Sequence, residues 1–222
     1  NIYEAKKIMR ERPYFGCMMV ETGEADAMIS GLTRRYPDTV KPALEIIGME
    51  NGAKRVAGMY MMLTKKGPLF FADTTVNFNP TEEELMDITL LTAEAVKNFN
   101  IKPRIAMLSY SNFGSSASPE AILVRNVVDR IKGEHPDLVI DGEMQAGVAF
   151  NKDLLRENYP FSDLMNEAPN VLIFPNLAAG NIAYHLLQEV GGAEAVGPIL
   201  LGLRKPVHVL QLGSTVRQIV NM

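Results

Sequence analysis

Short apolar runs alternate along this chain with segments whose apolar residues recur every three or four positions. A fold must bury both patterns at once. Strand-length runs separated by helical crossovers do so as an α/β architecture around a mainly parallel sheet. Val56–Met62, Leu69–Ala72, Arg104–Tyr110, Leu138–Ile140, Val171–Phe174 and Val207–Leu210 are the predicted strands. The clearest predicted helix starts at Thr81 and runs to about Asn98. Thr81 and Glu84 stand at capping-box spacing, and Glu82 and Glu83 put negative charge on the positive end of the helix dipole. Behind them Leu85, Ile88, Leu91, Ala95, Val96 and Phe99 mark one buried face. Ser118 as N-cap and Pro119 in the first turn start a second helix, which Gly133 should end. Further helices are predicted over Ala179–Val190, stopped by Gly191-Gly192, and over Thr215–Val220.

At 222 residues and 47% hydrophobic, the chain has enough apolar surface for a sizeable core without metal or disulfide staples. Its one cysteine, Cys17, has no internal partner, which fits a reducing, cytoplasmic setting. A net charge of -4 argues against a nucleic-acid partner. No apolar run approaches the roughly 18–20 residues of a membrane span, and the charges from Glu4 to Arg12 leave no secretory signal. No membrane association is expected. The chain opens on Asn1 and not on methionine, so further sequence is expected ahead of it.

Most chemical constellations fail on spacing. The three histidines, His135, His185 and His208, lie far apart and have no cysteine pair to complete a zinc set. Neither a G-x-x-x-x-G-K-[ST] loop nor a G-x-G-x-x-G fingerprint occurs. The methionines, including Met18, Met19, Met59, Met61 and Met62, fall in apolar runs and read as core. Asp73 and Asp141 follow predicted strands, where a carboxylate serves either catalysis or a turn. The loop from Ser109 to Ser116 stands at a strand's carboxyl end before a helix. It reads either as a solvated cap or as an anion cradle built from free amides. Arg34, Arg35 and Lys41 flank an Ile29-Ser30-Gly31 turn, either as an anion patch or as separate surface charges.

Several tracts together resemble the phosphate acetyltransferase family: ISGLTRRYPDTVKPALEII from Ile29, RIAMLSYSNFGSS from Arg104, DLVIDGEMQ from Asp137, VLIFPNLAAGNIAYHLL from Val171 and GGAEAVGPILLGLRKPVHVLQLGSTVRQIVNM from Gly191. The tract MLTKKGPLFFADTTVNFNPTEEEL and the SNFGSS loop are most similar to the acetyltransferase-like C-terminal region of hybrid NADP-dependent malic enzymes. The resemblance implies two three-layer α/β/α subdomains with mainly parallel sheets and a ligand cleft between them. It maps them to 1–52 plus 205–222, the first subdomain lacking its N-terminal part, and to an inserted 53–204.

Active members of that family move acetyl between CoA and phosphate. The resemblance implies a serine–arginine pair in the stretch matching VHVLQLGS and an aspartate base seven residues after that serine. This chain has Gln211, Leu212 and Gln218 there. An amide does not take up a proton as a carboxylate does, and leucine supplies no charge. The family's arginine in R-P-A-L is Lys41, which keeps charge without bidentate geometry.

The reading that follows is a regulatory domain without catalytic residues of its own, binding acetyl-CoA and signalling to a malic enzyme domain in cis. NADP and a divalent metal would belong to that other domain, and no cofactor to this one. The expected ligand contacts are Thr33, Arg34, Arg35, Lys41, Ser109, Ser111, Asn112, Ser115, Asn181 and Gly213, with Lys41 the leading cation. A homodimer through the 53–204 region is expected. The alternatives are an active phosphate acetyltransferase and a purely structural assembly module.

Overall fold

The computed structural model describes residues 1–211 and 213–222. Helices α1 (Ile2–Ile8) and α2 (Arg12–Thr22) lead into strand β1 (Met28–Gly31) and helix α3 (Tyr36–Ile46). The hairpin β2 (Ala57–Thr64) and β3 (Gly67–Ala72) follows, then α4 (Glu82–Asn98), β4 (Arg104–Leu108), α5 (Pro119–Glu134) and β5 (Val139–Met144). Two short helices, α6 (Ala146–Ala149) and α7 (Lys152–Asn158), precede β6 (Val171–Ile173) and α8 (Leu177–Glu189). Strands β7 (Glu194–Leu201) and β8 (Val207–Leu210) and helix α9 (Val216–Asn221) close the chain.

All eight described strands join one mixed sheet in the order β1-β8-β7-β2-β3-β6-β4-β5. Parallel pairs lie toward both ends, β1 with β8 and β3, β6, β4 and β5 with one another, while β8, β7, β2 and β3 are antiparallel neighbours. The resemblance implied a sheet for each subdomain; here the two are joined edge to edge, with β7 meeting β8 at Ile199 and His208.

Along β4 the side chains alternate between two cores, as the pleat requires. Ile105 and Met107 pack with Leu85, Ile88 and Val96 of α4 and Val127 and Ile131 of α5. Ala106 and Leu108 face the other side, with Val148 of α6, Leu155 of α7 and Tyr184 of α8. Buried on both faces, the strand carries no polar alternation, which is why a continuous apolar run marked it. A smaller core of Cys17, Val20, Ala43, Ile47 and Val207 holds α2 and α3 against β1 and β8. Of the methionines read as core, Met59 and Met62 are fully buried, whereas Met18 is 37% exposed.

The Thr81 capping box forms as spaced, with Glu84 N–H on Thr81 Oγ1 at 3.4 Å and Thr81 N–H on Glu84 Oε2 at 2.7 Å. Three expectations change. Ile29-Ser30-Gly31 is strand, not turn, because Met28 to Gly31 pair with Val207 to Leu210. Gly31 keeps the turn-like signal, with φ of 114°, and a Cβ there would stand 2.2 Å from the Leu210 carbonyl oxygen. Gly133 does not end α5, which runs on to Glu134; a glycine in a last turn weakens a helix without stopping it. Strand β7 escaped the sequence reading because Gly197 and Pro198 interrupt it. They sit where the β2–β7 register slips between Met59 and Met61, a bulge that tolerates both residues. No helix among the described residues is long and apolar enough to cross a membrane.

Candidate functional site

Parallel strands β1 and β8 end side by side, Gly31 against Leu210. The segments after them carry Arg34, Tyr36 and Gln211 to the wall of a cavity of about 470 Å³, across from Thr74, Thr75 and Asn181. This is the carboxyl-end crevice where open α/β sheets bind ligands. The facing wall is built by Asp73, which is 3% exposed. Its Oδ1 accepts from the amides of Gly58, Thr75 and Val76 at 3.3, 2.8 and 3.0 Å, and its Oδ2 from the Asn77 amide at 3.0 Å and the Asn77 side chain. Asp73 therefore serves the turn. Asp141 does likewise, taking Lys132 Nζ and the Gly142 amide, both at 3.0 Å, and the Asp163 amide at 2.9 Å. Gly58 leaves room for the Asp73 turn, since a Cβ there would fall 1.7 Å from Thr75 Oγ1. Asn181 Nδ2 donates to the Thr74 carbonyl at 3.2 Å and ties α8 to the same turn. Burial pushes the Tyr36 phenol up to about 12, so it stays a neutral hydroxyl.

Gln211 also lines a second cavity, of about 290 Å³, together with Tyr60, Gly213, Gln218, His185 and Glu189. Its Nε2 donates to the Tyr184 hydroxyl at 3.2 Å. Tyr184 in turn stacks on Tyr60, with ring centroids 4.2 Å apart and planes 18° from parallel. Both rings are buried, and burial holds the Tyr60 phenol well above its ordinary range. Gln218 is engaged in capping α9. Its Oε1 accepts the Thr215 amide at 2.8 Å while its own amide reaches Thr215 Oγ1 at 3.3 Å. Leu212 lies outside the described residues.

The Ser109–Ser116 loop lines neither cavity. It is organised around a carboxylate of the protein itself. Glu143 is fully buried, and its Oε1 accepts from the Ser111 hydroxyl and the Gly114 amide, both at 2.8 Å. Ser111 Oγ takes the Ser116 amide at 3.0 Å, Ser115 Oγ takes the Asn112 amide at 2.9 Å, and Ser109 Oγ takes the Ser111 amide at 3.3 Å. The loop amides read as an anion cradle are thus spent internally, that of Gly114 on Glu143 and those of Ser111, Asn112 and Ser116 on serine hydroxyls, with Arg125 Nε 3.8 Å from the carboxylate as its counter-charge. Asn112 Oδ1 accepts the Gln145 amide at 2.9 Å, which pins the loop to the end of β5.

The expected cations separate. Arg34 reaches the larger cavity and pairs with Glu11 at 3.0 Å. Arg35, with its side chain 83% exposed, turns to Asp38. Lys41, 69% exposed, faces Glu45 at 3.7 Å and does not line the cavity. Thr33 is exposed. Of the ten ligand contacts expected, the structure brings Arg34 and Asn181 to the larger cavity and Gly213 to the smaller one, with Gln211 between them. Sequence reasoning missed Tyr36, Thr75 and Tyr184. Only Tyr36 carried a signal, as the residue before Pro37 at a helix start.

A family model described as phosphate acetyl/butaryl transferase matches residues 1–222. The chain belongs to the phosphate acetyl/butaryl transferase family. Among relatives, the phosphate acetyltransferase of Bacillus subtilis is 39% identical over 99% of this chain and 68% of its own length. The NADP-dependent malic enzyme of Haemophilus influenzae is 41% identical over 98% of this chain but 29% of its own length. A phosphotransacetylase structure from Streptococcus pyogenes superposes with a TM-score of 0.91 at 41% identity, covering 99% of this chain and 67% of that one. The chain thus spans about two thirds of such acetyltransferases and under a third of the malic enzyme.

Proposed function

We propose that this domain binds acetyl-CoA in the larger cavity as a regulatory ligand and has lost the acetyltransferase reaction of its family. One observation carries the reading. Among the described lining residues of that cavity, Arg34 is the single charged side chain, and the rest are hydroxyl, amide and apolar groups. Acetyl transfer needs a base for the CoA thiol and charge to stabilise the phosphate. Binding a thioester needs neither. Gln218 supports the same view, because its side chain caps α9. A cavity of this size takes the acyl end and part of the pantetheine arm, with the CoA phosphates toward solvent and Arg34. In a full-length protein with a malic enzyme domain, differential affinity of acetyl-CoA for two states would pass to that domain as inhibition of malate oxidation. Any NADP or metal would act there. The test is a coupled assay of acetyl phosphate with CoA, alongside calorimetry with acetyl-CoA. Binding without turnover is expected; turnover on the order of 10 per second, typical of enzymes, would overturn the reading.

The second reading is an active phosphate acetyltransferase. It is favoured by His185, which lines the smaller cavity beside Gln211 and Gln218, where an imidazole is within the chemistry of a general base. If turnover is found, His185→Gln should abolish it.

A further inference from the structure

Among the described residues, the larger cavity and the smaller one meet at a single side chain. Gln211 lines both, and its amide is held from below by Tyr184 at 3.2 Å. Tyr184 is itself 1% exposed and fixed by its stack on Tyr60. Gly197 permits that stack, since a Cβ there would fall 2.6 Å from the Tyr60 ring. An amide nitrogen has two hydrogens to give. The Tyr184 hydroxyl lies 3.2 Å from Nε2 and 3.4 Å from Oε1 and anchors the amide group in place, on rings 96% or more buried, with at least one N–H left to give to a ligand. On the side of the larger cavity the described polar groups other than Arg34 are neutral: Thr74 and Thr75 hydroxyls, the Tyr36 phenol and the Asn181 amide. Among the described lining residues the one cation, Arg34, already faces Glu11 at 3.0 Å.

A phosphoryl group carries up to two charges, and desolvating it against neutral dipoles and one paired arginine is unfavourable. A thioester carbonyl carries none and asks for one or two hydrogen-bond donors, which a fixed amide supplies. From this we infer that Gln211, positioned by Tyr184, makes the cavity select acyl thioesters over acyl phosphates and inorganic phosphate, through a hydrogen bond from its amide to the acyl carbonyl. The inference rests on the proposed acetyl-CoA binding and adds which chemical class the cavity admits and which residue decides it. Tyr184 is a positioning residue; Gln211 touches the ligand.

The experiment is calorimetry on the intact domain with acetyl-CoA, CoA, acetyl phosphate and inorganic phosphate, for the parent, Gln211→Met and Tyr184→Phe. Methionine keeps the length of glutamine without its donor, and phenylalanine keeps the ring stack without its hydroxyl. The parent should bind acetyl-CoA up to about tenfold more tightly than CoA, the scale of one net hydrogen bond. Neither phosphate compound should compete. Gln211→Met should bring the acetyl-CoA to CoA ratio to about one while CoA affinity stays within about twofold, and Tyr184→Phe should lower the ratio by less. A structural role alone would move both ligands together. If Gln211→Met keeps the parent ratio, or if acetyl phosphate displaces acetyl-CoA at equal concentration, the inference is wrong while acetyl-CoA binding stands. If neither CoA nor acetyl-CoA binds the parent, the functional reading itself has failed and takes this one with it.

Discussion

Replacing Asp73 by asparagine changes one atom for another of nearly equal size, yet it should be among the more damaging changes available to this domain. The carboxylate offers two acceptors. Oδ1 serves three backbone amides, from Gly58, Thr75 and Val76, and Oδ2 serves the Asn77 amide and the Asn77 side chain. An asparagine amide is least harmful with its NH2 in the Oδ2 place, where it opposes two donors instead of accepting from them. Each buried donor left unpaired costs about 1–3 kcal/mol, so the variant should lose about 2–6 kcal/mol. For a chain of this length that corresponds to a fall of about 5–20 °C in the melting midpoint, if unfolding is two-state. Urea denaturation followed by circular dichroism measures it. Asp137→Asn, at an exposed position, is the control and should stay within about 0.5 kcal/mol. A loss under about 1 kcal/mol for Asp73→Asn would refute the claim that this carboxylate organises the cavity wall.

The cations divide more simply. Arg34→Ala should weaken acetyl-CoA binding several-fold at low ionic strength, and the effect should shrink as salt rises; Lys41→Ala, on an exposed lysine facing Glu45, should leave affinity within about twofold in the same titrations. His208 tests the pH dependence of stability, because burial holds its imidazole below its ordinary range. A depressed folded value means the unfolded chain takes the proton more readily, so this residue's contribution is complete above about pH 6.5 and is lost as pH falls through the folded value. His208→Gln should therefore flatten the slope of stability against pH below about 6.5, and a slope equal to the parent's would count against a neutral half-buried histidine.

The sequence spoke most clearly where a local rule and the tertiary need coincide. The Thr81–Glu84 box and the Ser118-Pro119 start both carry their signal within four residues and formed as spaced. It spoke least at β1 and β7. There, glycine and proline signal a turn locally, while pairing with a distant strand and a bulge decides the outcome. The site follows the same division. The Ser109–Ser116 loop has the composition of an anion cradle, and composition does not reveal that Glu143, about thirty residues on, arrives to fill it. Lys41 belongs to a motif, but it stands one helical turn beyond Pro37, past the cavity wall, where it is exposed and faces Glu45. The Gln211–Tyr184 bond joins residues 27 apart through the end of the sheet, and no spacing in the chain announces it.

Gln218 holds a helix cap at a position where the family resemblance implies a base. The third residue after a threonine cap is best served by glutamate or glutamine, whose length lets the side chain return to the cap amide. In this chain Gln218 does so at 2.8 Å. A base at the same position, as the family resemblance implies, would trade that reciprocal bond for a carboxylate facing the smaller cavity. The substitution Gln218→Asp alone should thus cost about 0.5–2 kcal/mol of helix-end stability, the scale of a lost cap. Combined with Gln211→Ser and Leu212→Arg it restores all three groups that acetyl transfer is taken to require. Losing a single such group typically costs a hundred- to thousandfold in rate, so regaining all three should raise acetyl transfer by at least about a hundredfold over the parent. Both proteins belong in the same coupled assay, with calorimetry confirming that each still binds acetyl-CoA. A triple variant that binds the ligand and turns over no faster than the parent would mean that the missing groups are not what separates this domain from a working enzyme. The difference would then lie in the other groups that line the two cavities.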